Sequence, residues 1–234
     1  MAIYKKSAYC KNCEDCNRRS GLFQLLTPEE IIIINEDRFE VQFKPGENIA
    51  KQGTNLTHII SLTSGIAKVY IEGINDRNLL LNLIGANSIV AGPGVFTDQR
   101  NHYSITALVP SSVCFINVEN FKRVINSNQA FTVKFLEYLN LRQAGLYDKL
   151  ISLTHKQMHG KIADALIYLS EKIYESLEFE LSISRQDLAD MTAMSKDSAI
   201  RILKELEKDG IISINGKCIS IPGMDALKEI SAKG

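Results

Sequence analysis

Three cysteines fall within one heptapeptide, Cys10, Cys13 and Cys16, while the other two stand far away at Cys114 and Cys218. Thiols this close together bind soft metals or exchange disulfides, and in a chain with no signal-peptide core they point to metal or redox chemistry before structural disulfides. The trio alone leaves three readings open: a thiol-rich tail, a zinc site completed by one more ligand, and a redox disulfide. Cys114 lies in the apolar run 113–116, where a free Cys is commonly a small core residue, and Cys218 reads the same way. His155 and His159 stand four apart, as a metal pair on one helix face would, but two surface histidines near a joint are the plainer reading.

Residues 184–217 offer a different chemistry, a short polar face able to enter a groove of nucleic acid. Leu188, Ala189 and Met191 give one short helix an apolar edge. Ala199, Ile202, Leu203 and Leu206 recur at helical spacing in a second helix, which Gly210 stops. That is helix-turn-helix punctuation, and the run after Gly210 reads as a small β-wing. Ser195 is a good N-cap. Off the buried stripe, Lys196, Asp197, Ser198, Ile200 and Arg201 crowd the front of the second helix, where a major groove admits an α-helix and exposes base edges.

The elements that must position these residues follow from texture. A Thr27-Pro28-Glu29-Glu30 start signal opens a helix into four consecutive isoleucines. From 39 to 121, short apolar runs at 57–62, 66–71, 79–84 and 104–108 alternate with Gly- and Pro-containing turns, the pattern of a β-sandwich or barrel whose interior can hold a ligand. After 126 the period becomes helical, with Phe131, Phe135, Leu139, Leu146, Leu150 and Leu153 recurring over about six turns. So long a stripe between two compact regions suggests a dimer seam, with intrachain packing as the competing explanation. Arg142 on that stripe needs a partner or solvent. A shorter helix over 160–174 leads into the helix-turn-helix.

Composition limits the classes. The 234 residues leave room for two domains, 45% are apolar, and 27 basic residues balance 27 acidic ones. Bulk charge therefore gives no nucleic-acid footprint, and any DNA contact must rest on local placement. No apolar run approaches a membrane span, so the expectation is a cytoplasmic protein without a membrane partner. No Ser/His/Asp set, phosphate-cradling loop or metallohydrolase motif stands out, so the expectation is not an enzyme.

The order of parts resembles the Crp/Fnr family of bacterial transcription regulators. The likeness runs over about 22–222 and is carried by Lys44-Pro45-Gly46-Glu47, Gln52-Gly53, the run Ser64-Gly65-Ile66-Ala67-Lys68-Val69-Tyr70 and the motif at 184–221. It implies an α+β chain: an N-terminal Cys-containing segment (1–21), a cyclic-nucleotide-binding-like sensory β-roll (22–125), a long dimerisation helix (126–154) and a C-terminal winged helix-turn-helix domain (155–234). It further implies a homodimer on double-stranded DNA with an inverted-repeat operator, and RNA polymerase as a partner if the protein activates. Ser184, Arg185 and Gln186 match the family's phosphate contacts at the start of the first motif helix, and Lys217 matches one on the wing. Ser195, Lys196 and Ser198 belong to the front of the recognition helix. Asp197 stands where a Glu accepts from cytosine, and Arg201 where an Arg reads guanine. The plainer reading gives Asp197 to the helix dipole and pairs Arg201 with Asp197 or Glu205.

For the signal, the resemblance implies two alternatives. Cyclic-nucleotide-binding members hold a phosphate with Gly-Glu and Arg-Ser pairs, but here those stretches read Ala91-Gly92-Pro93-Gly94 and Asn101-His102-Tyr103-Ser104, and the base-contacting pair falls near Leu146 and Tyr147. A buried phosphate without a cation is expensive, so cyclic AMP is not expected; another small anion or nucleotide in the roll is the alternative function. Oxygen-sensing members instead carry an iron–sulfur cluster on four cysteines, and Cys114 falls on the fourth ligand position. Cys13 and Cys16 resemble the first two. The third position falls at Leu22, so a [4Fe–4S] cluster would use Cys10, Cys13, Cys16 and Cys114.

Overall fold

The computed structural model describes residues 16, 20–74 and 77–234; Cys10 and Cys13 lie outside them. A 3-10 turn (Gly21–Leu25) leads to helix α1 (Pro28–Asn35). The Thr27 capping box forms, with Thr27 N–H donating to Glu30 Oε2 at 2.9 Å and Glu30 N–H to the Thr27 hydroxyl at 3.3 Å. Two satisfied orphan donors hold this end against the poor helix propensity of four isoleucines.

Eight short strands follow: β1 (Phe39–Phe43), β2 (Asn48–Ala50), β3 (His58–Ser64), β4 (Ala67–Ile71), β5 (Leu79–Ile84), β6 (Ser88–Val90), β7 (Ser104–Ala107) and β8 (Ser111–Asn117). They form two antiparallel four-stranded sheets, ordered β1-β8-β3-β6 and β2-β7-β4-β5. Leu62 and Val113 from one sheet meet Val69, Ile105 and Ala107 from the other in the roll's interior. The outer side of the first sheet is covered by α1, α2 (Val118–Ser127) and the start of α3 (Gln129–His155), where Ile34, Ile59, Ile116, Phe121, Phe131 and Phe135 share a second core.

Helix α3 carries two apolar stripes, and this corrects the expected seam. Phe131 and Phe135 face inward and are fully or almost fully buried in their own roll, with Tyr138 and Leu139 packed beside them. Arg142 also points to the roll and finds its partners there, donating to Ile89 O at 3.1 Å and to the Tyr138 hydroxyl. The residues left outside include Val133, Leu136, Asn140, Gln143, Tyr147 and Leu150, which recur alternately three and four apart, with Leu141, Leu146 and Ile151 exposed beside them.

After α3 ends at His155 the chain turns through Lys156 and Gln157 into α4 (Met158–Tyr168), which continues as a π-helical turn (Leu169–Tyr174). His155 and His159 therefore sit on different helices, which rules out a shared helix face; His159 Nε2 instead meets Glu205 at 2.7 Å. Then come β9 (Glu178–Glu180), α5 (Arg185–Met191), α6 (Lys196–Lys208), β10 (Ser213–Asn215), β11 (Cys218–Ser220) and α7 (Met224–Lys233). The three strands form one antiparallel sheet, β10-β11-β9.

Strand β5 belongs to two cores. Leu81 and Ile84 pack with the roll interior, while Leu80 and Leu83 are buried among residues of α4, α5 and α6. This explains why five of its six residues are apolar, Asn82 being the exception, since a strand covered on both faces has little polar side to show. Polar contacts fix the same junction. Lys149 of α3 donates to the carbonyls of Leu80 and Leu81 at 2.6 and 3.0 Å, and burial pulls its amine down to about 8. Lys68 Nζ of β4 meets Asp187 Oδ1 of α5 at 2.5 Å.

Burial pushes the Asp187 carboxyl up, but Lys68 and the Ser184 donors outweigh it and hold it below its ordinary value. A depressed carboxylate contributes stability above its unfolded pKa of about 4, and that contribution is lost as pH falls through the folded value. Thermal scans should therefore show a destabilisation on acidification below about pH 4 that is reduced in Asp187→Asn. An identical acid-side profile in the variant would remove Asp187 from the junction's energetics.

Candidate nucleic-acid interface

The motif's two helices are set by their caps. Ser184 accepts from Asp187 N–H at 3.0 Å, and Asp187 Oδ2 returns the bond to Ser184 N–H at 2.8 Å, a capping box built with Asp in place of Glu. Ser195 accepts from Ser198 N–H at 3.1 Å, and the two hydroxyls pair at 2.8 Å. Between the helices, Thr192 bonds back to Leu188 O at 2.8 Å, and Ala193 adopts φ +51° to make the sharp turn. A left-handed alanine costs about 1–2 kcal/mol, which the buried stripe of Leu188, Ala199, Ile202, Leu203 and Leu206 offsets.

With that stripe inward, α6 shows Lys196, Asp197, Arg201, Lys204 and Lys208 to the outside. A shallow depression of about 410 Å³ runs along this face between Asp197, Ile200, Arg201, Lys204, Glu205 and Lys208. Three cations face two carboxylates there, so the face is locally basic although the chain is neutral. Arg201 Nη1 lies 2.7 Å from Glu205 Oε1, and Glu205 also takes His159. The hydrogen bond from His159, then those from Arg201, hold the Glu205 carboxyl below its ordinary value. The i, i+4 pairing anticipated from spacing is thus present in the free protein; such exposed pairs are worth about 0–1 kcal/mol, little enough for a base edge to displace.

The residues expected to face phosphate are not equivalent. Ser184 and Gln186 are exposed, and Gln186 Nε2 donates to Asp190 at 2.8 Å. Lys217 is exposed beside Gly216, which turns the wing at φ +61°. Arg185 is instead folded beneath the wing: its Nη2 reaches Gly216 O at 3.4 Å and its Nη1 is buried without a hydrogen-bond partner. Burial lowers the guanidinium pKa, with Glu207 acting the other way. Arg185 joins the first motif helix to the wing, a tertiary role its sequence position does not reveal.

At the far end, Cys114 is buried on β8 and Cys16 is buried as well. The Arg38 guanidinium donates to Cys114 Sγ at 2.8 Å, a cation placed to favour thiolate over thiol. Among the described residues, no group of three or more His, Cys, Asp or Glu side chains is gathered to hold a metal.

In the roll, the stretch 91–94 makes a 3-10 turn (Pro93–Val95). Gly94 lies so close to the Arg100 backbone that a Cβ would stand 2.0 Å from Arg100 O, and one on Gly92 would stand 2.7 Å from the Tyr103 hydroxyl. Burial pushes that hydroxyl up to about 12. Ser104 donates to Glu72 Oε1 at 2.5 Å and accepts from Gln52 N–H at 2.9 Å. The hydroxyl in the stretch 101–104 is therefore already engaged by an acid.

Two family matches cover most of the chain: residues 40–128 match the cyclic nucleotide-binding domain, and residues 160–230 the Crp-like helix-turn-helix domain. Among curated proteins, the chain is similar to the transcriptional activator protein FnrL of Cereibacter sphaeroides, 21% identical over 226 residues, with 93% of this chain and 90% of that protein covered. It is also similar to the fumarate and nitrate reduction regulatory protein of Escherichia coli K12, 24% identical over 234 residues, with 94% and 90% covered. Among solved structures, FixK2 from Bradyrhizobium japonicum superposes with a TM-score of 0.76 at 15% identity, over 82% of this chain and 96% of that one.

Proposed function

The chain belongs to the Crp/Fnr family of DNA-binding transcription regulators, and from that premise we propose that it acts as a homodimer on an inverted-repeat operator, without catalysis and in the cytoplasm. The observation that carries the dimer is the outward stripe of α3: Val133, Leu136, Tyr147 and Leu150 are each more than half exposed, on a helix whose opposite side is fixed to the roll. Positions 133, 136, 140, 143, 147 and 150 fit alternating a and d sites of a coiled coil, and Asn140 at an a site would set register at some cost in stability. A two-fold axis along this seam presents two copies of α6 to successive major grooves, about 34 Å apart. Arg201 and Asp197 then address base edges, while Ser184, Gln186, Lys196 and Lys217 address phosphates. Ser195 and Ser198 hold the front turn, and Arg185 steadies the wing. An activator of this design would present RNA polymerase with a neighbouring surface. A mobility shift comparing an inverted repeat with a single half-site tests the reading: strong preference for the repeat is expected, and equal binding to both would refute the paired mode.

The signal is proposed to enter through the cysteines. Cys10, Cys13, Cys16 and Cys114 would hold a [4Fe–4S] cluster, and the Arg38 contact at Cys114 supports the thiolate such a ligand needs. When bound, the cluster supplies an oxidant-sensitive redox centre. Protein purified without oxygen should carry iron and visible absorbance, both reduced in Cys114→Ser; iron-free protein with bound zinc would favour the zinc site instead. The alternative, a nucleotide or small anion in the roll, is disfavoured by Glu72 at Ser104 and by the Tyr103 hydroxyl against Gly92. The proposed response is a rigid-body change in how α3 carries the DNA-binding domain through the turn at Lys156 and Gln157.

A further inference from the structure

A second cavity lies outside both the roll and the DNA-facing surface. It encloses about 650 Å³ between the C-terminal half of α3, α4 and the end of α5, within the size range of small-molecule sites. On α3 it is bounded chiefly by Gly145, Asp148, Lys149 and Ser152, on the side of the helix turned away from the Val133–Leu150 stripe, with Ile151 at the edge nearest that stripe and Lys156 just past the helix end. Pairing through that stripe therefore leaves most of the cavity's lining uncovered.

Its chemistry is lopsided. Ala165, Tyr168 and Met191 contribute apolar surface, and four lysines, 149, 156, 161 and 172, stand around them. The carboxylates that would balance them are largely taken. Asp164 already receives Lys156 Nζ at 2.8 Å and the hydroxyls of Ser152 and Ser231 at 2.5 Å each. Glu171 is paired with Lys228 at 2.9 Å, on a residue that does not line the cavity. Among the described residues, no carboxylate lies in ion-pairing range of Lys149, Lys161 or Lys172, and Lys149 rests only on the two β5 carbonyls. Asp148 is the one acid of the lining left over. An apolar wall bordered by three unmatched ammonium groups is what an organic anion requires, since its body gains from leaving water and its charge replaces the missing counter-ions.

We propose that this cavity binds a small amphipathic anion, an apolar or aromatic body bearing one carboxylate or phosphate, with the acidic group held among the lysines of its lining and the body against Tyr168 and Met191. The ligand would touch α3 on one side and the DNA-binding domain on the other, at the joint where the two meet.

The test is calorimetric titration of the full-length protein with 1-naphthoate, 1-naphthyl phosphate and the neutral 1-naphthalenemethanol. One site per protomer is expected for at least one acid, with the alcohol at least tenfold weaker; the tighter acid identifies the head group. Lys161→Glu with Lys172→Glu should weaken the acid at least tenfold, while Lys122→Glu, a charge reversal on α2 far from the cavity, should leave it unchanged. Absence of binding by both acids, equal affinity for the alcohol, an unaffected double variant, or equal loss in Lys122→Glu would each overturn the site. The double variant changes two rim residues and leaves the buried core intact, so its fold is checked by an unchanged thermal midpoint. Because the readout is heat of binding and not DNA retention, failure here leaves the reading of α6 untouched.

Discussion

Leu136→Glu combined with Leu150→Glu should yield a folded monomer that no longer distinguishes an inverted repeat from a half-site. Both side chains are more than half exposed in the single chain, so the substitutions remove little from the protomer's own core. In a dimer they replace four leucines at one seam. Each leucine buried there contributes about 1.5–3 kcal/mol, and like charges brought face to face add repulsion. The dissociation constant of the dimer should rise by at least four orders of magnitude, since about 6 kcal/mol corresponds to roughly that factor. Sedimentation measures the change directly. A variant that stays dimeric would place the subunit contact elsewhere. Phe135→Ala provides the contrast: it empties a core position and should cost about 3–5 kcal/mol of protomer stability, with its primary effect on folding.

Arg201→Ala should reduce operator affinity by about 1–3 kcal/mol per half-site and relax the preference at one G·C pair. The free protein holds this guanidinium on Glu205, so part of the contact energy is spent on releasing it, and Glu205→Ala should leave specific binding equal or slightly tighter. The discriminating measurement is affinity across all four bases at the contacted position. A uniform loss on every sequence would assign Arg201 to phosphate, and its salt dependence would then fall by about one counter-ion.

Local punctuation was easy to read from sequence because it depends on residues close in the chain. The Thr27 and Ser195 caps, the helical stripe of α6 and the strands over 57–62 and 79–84 all formed where composition placed them. The phase of α3 was not legible. Its apolar residues recur on two sides, and periodicity does not say which side meets the roll; aromatic volume decided it, with Phe131 and Phe135 filling the core beside Phe121. Arg185 escaped for a similar reason, because its partner Gly216 lies 31 residues away. The break between His155 and His159 carries no proline or glycine signal. The joint between roll and DNA-binding domain could not be read at all, since Lys68, Lys149 and Asp187 look like ordinary surface charges until the fold brings them together.

Strand β5 lies at the edge of its sheet, and an edge strand offers unpaired backbone groups to any other strand that approaches. Here the Tyr168 hydroxyl both receives Leu83 N–H and donates to Leu83 O at 3.2 Å, and Lys149 occupies the carbonyls of Leu80 and Leu81. Tyr168 of the DNA-binding domain and Lys149 of α3 thus guard the roll's exposed flank. A roll severed from it would present two bare leucines beside open hydrogen-bonding positions, a template for strand addition between molecules. The two halves of this regulator depend on each other for solubility as well as for packing.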